Sequence, residues 1–193
     1  MSSPLSYAIV ELTSVKFSVR AAAAWEIYRA GRSLADGAVS QWWTDTELSA
    51  LLFAPNPAVT VGLAVGREIF AKIREANESP KLASVPPDQD AEEFELHFPE
   101  GVSLDILTTR IPGGNGAIAR YLEKFKEGIQ QVEFQCSNVD RATAILNEKF
   151  SVTAVYPQTR AGADGTRINF FLVPSVAGSK VLVELCEPPK TSR

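Results

Sequence analysis

The sequence predicts an α+β protein in which two βαβββ modules form a curved, cleft-enclosing mixed sheet, preceded by an N-terminal extension. Two observations carry this expectation. Segments beginning near Thr60 and Gln131 pass through one shared order of elements, and in both the period of the apolar residues switches from strand-like to helix-like and back at matching points. A chain of 193 residues, 45% hydrophobic and 22% charged, also carries enough apolar material to cover such a sheet with helices.

The extension spans residues 1–57. It reads as an alternating stretch from Tyr7 to Val19, a helix through Ala21–Tyr28, and then Trp42 and Trp43 ahead of another apolar run. Indoles in such a layer, Trp25 included, act as packing anchors. The first module, residues 58–112, opens with the β-branched strand TVGLAV from Thr60 and continues into REIFAKIREAN, where Ile69, Phe70 and Ile73 recur at helical spacing. KLASVPP follows as a second strand. AEEFELHF then alternates Phe94, Leu96 and Phe98 against Glu93, Glu95 and His97, turns at Pro99-Glu100-Gly101 and returns as VSLDILTT.

Residues 113–128 form a linker, a Gly-rich loop and an amphipathic helix with Ile118, Tyr121, Leu122 and Phe125 directed inward. Its PGGNG lacks the GKS or GKT ending of a phosphate loop and reads as a hinge. The second module, residues 129–187, repeats the order. QVEFQC leads to SNVDRATAILNEKF, with Val139, Ala142, Ile145 and Leu146 on one helical face and Ser137 or Asn138 as its cap. SVTAVYP, GTRINFFLVP and KVLVELCE complete it, and residues 188–193 form a tail. Equivalent first-strand positions lie about 71 residues apart and last-strand positions about 79, a difference that turn lengths absorb.

A formal charge of −4 and a pI near 5.2 argue against a nucleic-acid partner, because phosphate neutralisation needs concentrated Lys and Arg. No apolar run approaches the roughly 20 residues that span a bilayer, so no membrane partner is expected. The start of the chain lacks the basic and apolar regions of a secretory leader, so the expected location is the cytoplasm. Two cysteines and one histidine exclude a disulfide scaffold and a zinc site rich in His or Cys.

Side chains alternate along a strand, so parity divides each module into two faces. Val61, Leu63 and Val65 with Leu104 and Ile106, and Val132, Phe134 and Cys136 with Val181, Val183 and Leu185, form the faces to be covered by helices. The opposite faces carry Thr60, Asp105 and Leu107, and then Gln131, Glu133, Leu182, Glu184 and Cys186. Asp105 and Glu184 occupy equivalent last-strand positions, and Thr60 and Gln131 equivalent first-strand positions, so a pseudo-twofold axis would direct all four toward one centre.

At these residues the chain resembles a known family. IARYLEKFKEGIQQVEFQCSNVDRA, followed by RINFFLVP and VLVELCE and preceded by GVSLDILTT, is similar to the methylmalonyl-CoA epimerases of the vicinal oxygen chelate superfamily, which also holds glyoxalase I, extradiol dioxygenases and bleomycin-resistance proteins. The resemblance covers roughly residues 58–187. It implies a metal held from the first and last strands of both modules. Carried onto this chain, the ligand positions are Thr60 where the family has His, Asp105 where it has Gln or Glu, Gln131 where it has His, and Glu184 where it has Glu. Both histidines are replaced. A site from Asp105, Gln131 and Glu184 offers oxygen alone, which suits Mg, Mn or Ca better than Zn. Without an ion, the clustered acids retain acid/base chemistry of their own.

The resemblance implies an isomerase or lyase, epimerase-like or glyoxalase-like, that moves a proton beside the carbonyl of a small acyl-CoA or 2-oxo-acid substrate. Glu184 and Asp105 would carry the proton, with Glu133 as a reserve base. Thr60, Gln131, Leu107 and Leu182 would bind the substrate. The alternative is a metal-free small-molecule binding protein of the bleomycin-resistance type. A third reading has Trp42 or Trp43 filling the cleft of a scaffold protein. A homodimer is compatible with each. His97, alone in its strand, reads as a hydrogen-bonded surface residue, parity separates Cys136 from Cys186, and Arg67, Lys72 and Arg74 read as a solvated stripe.

Overall fold

The computed structural model describes residues 4–174 and 180–189. Its helices are α1 (Pro4–Glu11), α2 (Phe17–Val39), α3 (Thr46–Leu51), α4 (Arg67–Ala76), α5 (Ala117–Phe125) and α6 (Val139–Phe150). Its strands are β1 (Val59–Ala64), β2 (Ala91–Phe98), β3 (Val102–Thr109), β4 (Gly128–Gln135), β5 (Arg160–Ala161), β6 (Arg167–Pro174) and β7 (Lys180–Glu187). The chain is α+β with mixed strand pairing, and it divides into two compact units, Met1–Gly31 with Thr60–Gln130 and Arg32–Val59 with Gln131–Arg193. Of the tail expected at 188–193, residues 190–193 lie outside the described residues.

In the first unit β3 is central, parallel to β1 and antiparallel to β2. The register Leu63↔Ile106 and Phe94↔Ile106 gathers the apolar members of three strands on one face. Phe70 and Ile73 of α4, Ile9 of α1 and Ala23, Ala24 and Ile27 of α2 close over that face with Leu12 from the α1–α2 connection, and the core so formed is almost wholly withdrawn from water. Burial of each large side chain there contributes about 1.5–3 kcal/mol.

The alternating stretch expected from Tyr7 is a helix instead. Pro4 supplies a preset φ at its first position, and Leu5, Ala8, Ile9 and Leu12 repeat at helical spacing, with the last three buried. The short period of Tyr7–Val19 misleads because Thr13 to Lys16 is a tight connection. Arg20 of α2 braces it, donating from Nε to Asn77 Oδ1 at 2.9 Å and from Nη1 to the Ser14 carbonyl at 2.9 Å, so the guanidinium is buried with partners. Helix α2 then lies close enough to β1 that only glycine fits at position 31, where a Cβ would stand 2.6 Å from both Val61 methyls.

In the second unit β7 is parallel to β4 and antiparallel to β6, with β5 beyond β6. Val139, Ala142, Ile145 and Leu146 bury the inner face of α6 as their spacing requires. Asn138 is the cap, its Oδ1 accepting from Arg141 N at 3.0 Å. Glu187 strengthens the same helix start, accepting from Val139 N at 3.0 Å and from Arg167 Nη1 at 2.9 Å. Trp42 packs edge-on to Phe171 at 6.3 Å and Trp43 lies 5.9 Å from Phe134. Phe134 and Phe171 belong to the face opposite Glu184, because Leu185 and Val183 are their register partners. The indoles are packing anchors, and the reading in which they fill the polar face is corrected.

Three further expectations change. KLASVPP and SVTAVYP are not ladder strands: the first carries the bond Ala83 N to Glu93 O at 2.9 Å, and the second the bond Val155 N to Phe170 O at 2.7 Å beside the bridge of Ala154 with Phe171. Prolines at 80, 86, 87 and 157 remove donors and end the pairing. Phe125 is 58% exposed rather than inward, tilted against Tyr121 beneath Lys124.

Candidate functional site

In the second unit the polar face is built by β4, β7 and β6. The registers Glu133↔Glu184 and Phe170↔Glu184 set two carboxylates and a phenyl ring side by side, and Leu172↔Leu182 continues the face with aliphatic groups. Neighbouring strands lie about 4.8 Å apart, so these groups are within reach of one small molecule. Glu184 is 5% exposed and Gln131 9% exposed. A carboxylate at that depth needs donors, and the Gln131 amide supplies one through a short hydrogen bond from Nε2 to Glu184 Oε2. Glu133 and Leu182 are half-buried.

Cys186 lies on the same face, two residues beyond Glu184. Burial pushes its thiol far up, and the Glu133 and Glu184 charges push it further, so the sulfur stays protonated and inert as a nucleophile. Cys136 is on the helix-covered face, and both thiols are free.

In the first unit Asp105 is half-buried on β3, with Gly62 of β1 and Glu95 of β2 as its register partners. Thr60 is half-buried on β1, and Leu107 is buried opposite Glu93. The candidate set drawn from the sequence omits what stands beside Asp105. Glu95, His97 and Ser103 form a polar chain there, with His97 Nδ1 3.1 Å from Ser103 Oγ and His97 Nε2 3.3 Å from Glu95 Oε2. Counting residue pairs outward from the Pro99–Gly101 turn identifies these partners. The lone histidine is exposed and hydrogen-bonded, as its position in the strand suggested.

The donors do not fit the divalent ion that the family resemblance implies. Both of its histidine positions are a hydroxyl or an amide, and the Gln131 amide directs its N–H, not its oxygen, at Glu184. Among the described residues no group of three or more His, Cys, Asp or Glu side chains is gathered in a metal-holding arrangement. Gln131 instead supplies hydrogen-bond donation where the resemblance implies a cation. The unit can therefore do carboxylate chemistry: accept a proton at Glu184, hold a second carboxylate alongside at Glu133, and offer an amide hydrogen to developing negative charge.

Solved structures match this chain. A methylmalonyl-CoA epimerase from Mycobacterium tuberculosis is 30% identical, with 67% of this chain and 86% of that protein covered at a TM-score of 0.55. A hypothetical protein from Bacillus halodurans is 20% identical, with 69% and 95% covered and a TM-score of 0.56. A Streptomyces coelicolor methylmalonyl-CoA epimerase variant in complex with 2-nitronate-propionyl-CoA is 21% identical, with 69% and 95% covered and a TM-score of 0.54. The last two share the fold alone. No protein-family model and no curated protein matches. Among the described residues no helix is long and apolar enough to cross a membrane.

Proposed function

The chain belongs to the vicinal oxygen chelate superfamily, and from that footing we propose that it is a cytoplasmic isomerase or lyase moving a proton beside the carbonyl of a small acyl-CoA or 2-oxo-acid substrate. The buried hydrogen bond from Gln131 to Glu184, with Glu133 in register alongside, is the observation that supports this reading. Glu184 takes the proton from the carbon next to the carbonyl. The electron pair moves onto the carbonyl oxygen, and the second hydrogen of the Gln131 amide, the one not given to Glu184, lowers the energy of the enolate that forms. Return of the proton from Glu184 to the same carbon restores substrate, and return from a different acid completes isomerisation.

Glu133 is the second carboxylate within this unit. Asp105 and Thr60 enter the proposal through the repeat, which makes them the equivalents of Glu184 and Gln131. Leu182, on the face of Glu184, would receive the acyl chain, and Leu107 enters through the same repeat as Asp105. No step here runs through a metal, since the donors do not fit one.

A second reading has a specific observation in its favour. Phe170, Leu172 and Leu182 give the face around Glu184 the apolar walls of a binding protein that holds a small molecule without transforming it. Proton NMR in deuterium oxide separates the two. A panel of 2-substituted acyl-CoA thioesters and 2-oxo acids should lose a carbon-bound proton signal only when the protein is present. Saturable binding across the panel with no loss of signal would replace the enzyme reading by the binding one.

A further inference from the structure

The first unit contains an apolar cavity of about 660 Å3 between α1 and α2, remote in sequence from every residue of the proposed reaction. Its floor is Ala8, Ala23 and Ile27, all buried. Its walls include two exposed aromatic side chains, Tyr7 at 65% and Trp25 at 41%, and among the described residues its charged lining is Glu11 and Glu26. The volume lies in the range that takes a small organic molecule, and the lining is mostly apolar with few polar groups, as such sites are.

The charge on the walls identifies the kind of occupant. Each helix presents one ring and one carboxylate. On α2 this pair already holds a cation: Arg29 sits 4.7 Å from the Trp25 ring centroid, with its Nη2 3.1 Å from Glu26 Oε2. On α1 the corresponding pair is Tyr7 and Glu11, joined by a hydrogen bond from the phenol to the carboxylate that, with the negative charge, pushes the tyrosine up from its ordinary value. Among the described residues no cation pairs with Glu11. Helix α1 itself carries no basic residue.

We propose that the α1–α2 cavity binds a small organic cation with an apolar body, its charged head over the Tyr7 ring and beside the Glu11 carboxylate, and its hydrocarbon against Ala8, Ala23 and Ile27. A quaternary ammonium gains from both the ring face and the carboxylate, whereas a neutral or anionic molecule of the same length gains only burial. The site is independent of the proton-transfer proposal and stands or falls separately from it.

The test is calorimetric titration of the full chain with octyltrimethylammonium, octanol and octanoate, alongside Trp emission. The cation should bind saturably and at least about tenfold more tightly than either control, with a change in emission that Trp25→Phe removes. Glu11→Gln should bring the cation down to the level of octanol, and Ala22→Phe, which crowds the cavity, should abolish binding of all three while far-UV circular dichroism stays unchanged. Equal affinity for the three probes, or no effect of Glu11→Gln on the cation, overturns the proposal. So does a concentration-dependent dimer that Ala22→Phe dissociates, because the cavity is then covered by a second copy of the chain.

Discussion

Gln131 and Glu184 sit on neighbouring parallel strands, and the amide of one donates to the carboxylate of the other at a depth where neither reaches bulk water freely. The bond places a neutral donor where the family resemblance implies a ligand histidine. A neutral donor supplies a hydrogen bond there without adding a positive charge.

Gln131→Leu keeps the volume and deletes the donor. The variant should unfold at lower urea concentration, by about 1–3 kcal/mol, because a buried carboxyl group loses a hydrogen bond that apolar surroundings do not replace. An unchanged midpoint would mean that the Gln131 contact contributes nothing to holding Glu184.

Gly31→Ala tests how tightly α2 sits on β1. Alanine favours a helix by up to about 1 kcal/mol, yet the added methyl would meet both Val61 methyls at 2.6 Å. Overpacking costs about 1–3 kcal/mol, so the variant should melt lower than the parent. Val61→Ala makes room, and the cost of Gly31→Ala should shrink in that background; strict additivity in the double-mutant cycle would refute the contact.

How much of this was legible in the residues depends on the range of the contact. Alternation in AEEFELHF and KVLVELCE and the helical spacing in SNVDRATAILNEKF are local, so the strands, α6 and the division of faces could be read directly. Helix α1 was obscured because the apparent alternation of Tyr7–Val19 runs across the tight connection at Thr13–Lys16, which splits the local stripe of Leu5, Ala8, Ile9 and Leu12 from α2. The curtailed second strand of each module is a proline effect that a purely hydrophobic reading overlooks. The donor direction of Gln131, and the arrangement of Glu95, His97 and Ser103 beside Asp105, depend on register and rotamer, which parity does not determine.

Acid should weaken the second unit. Lys149 holds Asp45 below its ordinary 3.8, Arg141 holds Glu47 below 4.5, and Thr159 with Arg167 holds Asp140 below 3.8. Each group is more acidic folded than unfolded. Its contribution is therefore complete above those ordinary values and disappears as the pH falls through the lower folded ones. Urea midpoints measured between about pH 5 and pH 2.5 should fall, and Arg141→Ala with Lys149→Ala should flatten the slope. An equal slope in the double variant would assign acid sensitivity elsewhere. These pairs are exposed, so the effect should also diminish in high salt.

Alkali acts through Cys136. Burial, followed by the Glu187 charge, pushes its thiol from 9.0 up to about 12. The unfolded chain loses this proton first, so the stabilisation is complete below pH 9 and lost as the pH rises toward 12. Cys136→Ala should remove that part of the decline between those limits, and Ellman's reagent should reach the parent thiol only on unfolding. Rapid labelling of native protein at neutral pH would contradict the buried placement.

In the proposed reaction Glu184 moves a proton without the help of an ion. The rate of deuterium uptake at the carbon beside the carbonyl, measured after exhaustive chelation, tests it directly. For a substrate that the parent protein exchanges, Glu184→Gln should slow uptake by at least about 100-fold, with chelation leaving the parent rate unchanged. Uptake that persists in Glu184→Gln, or that vanishes on chelation and returns with added metal, would contradict it.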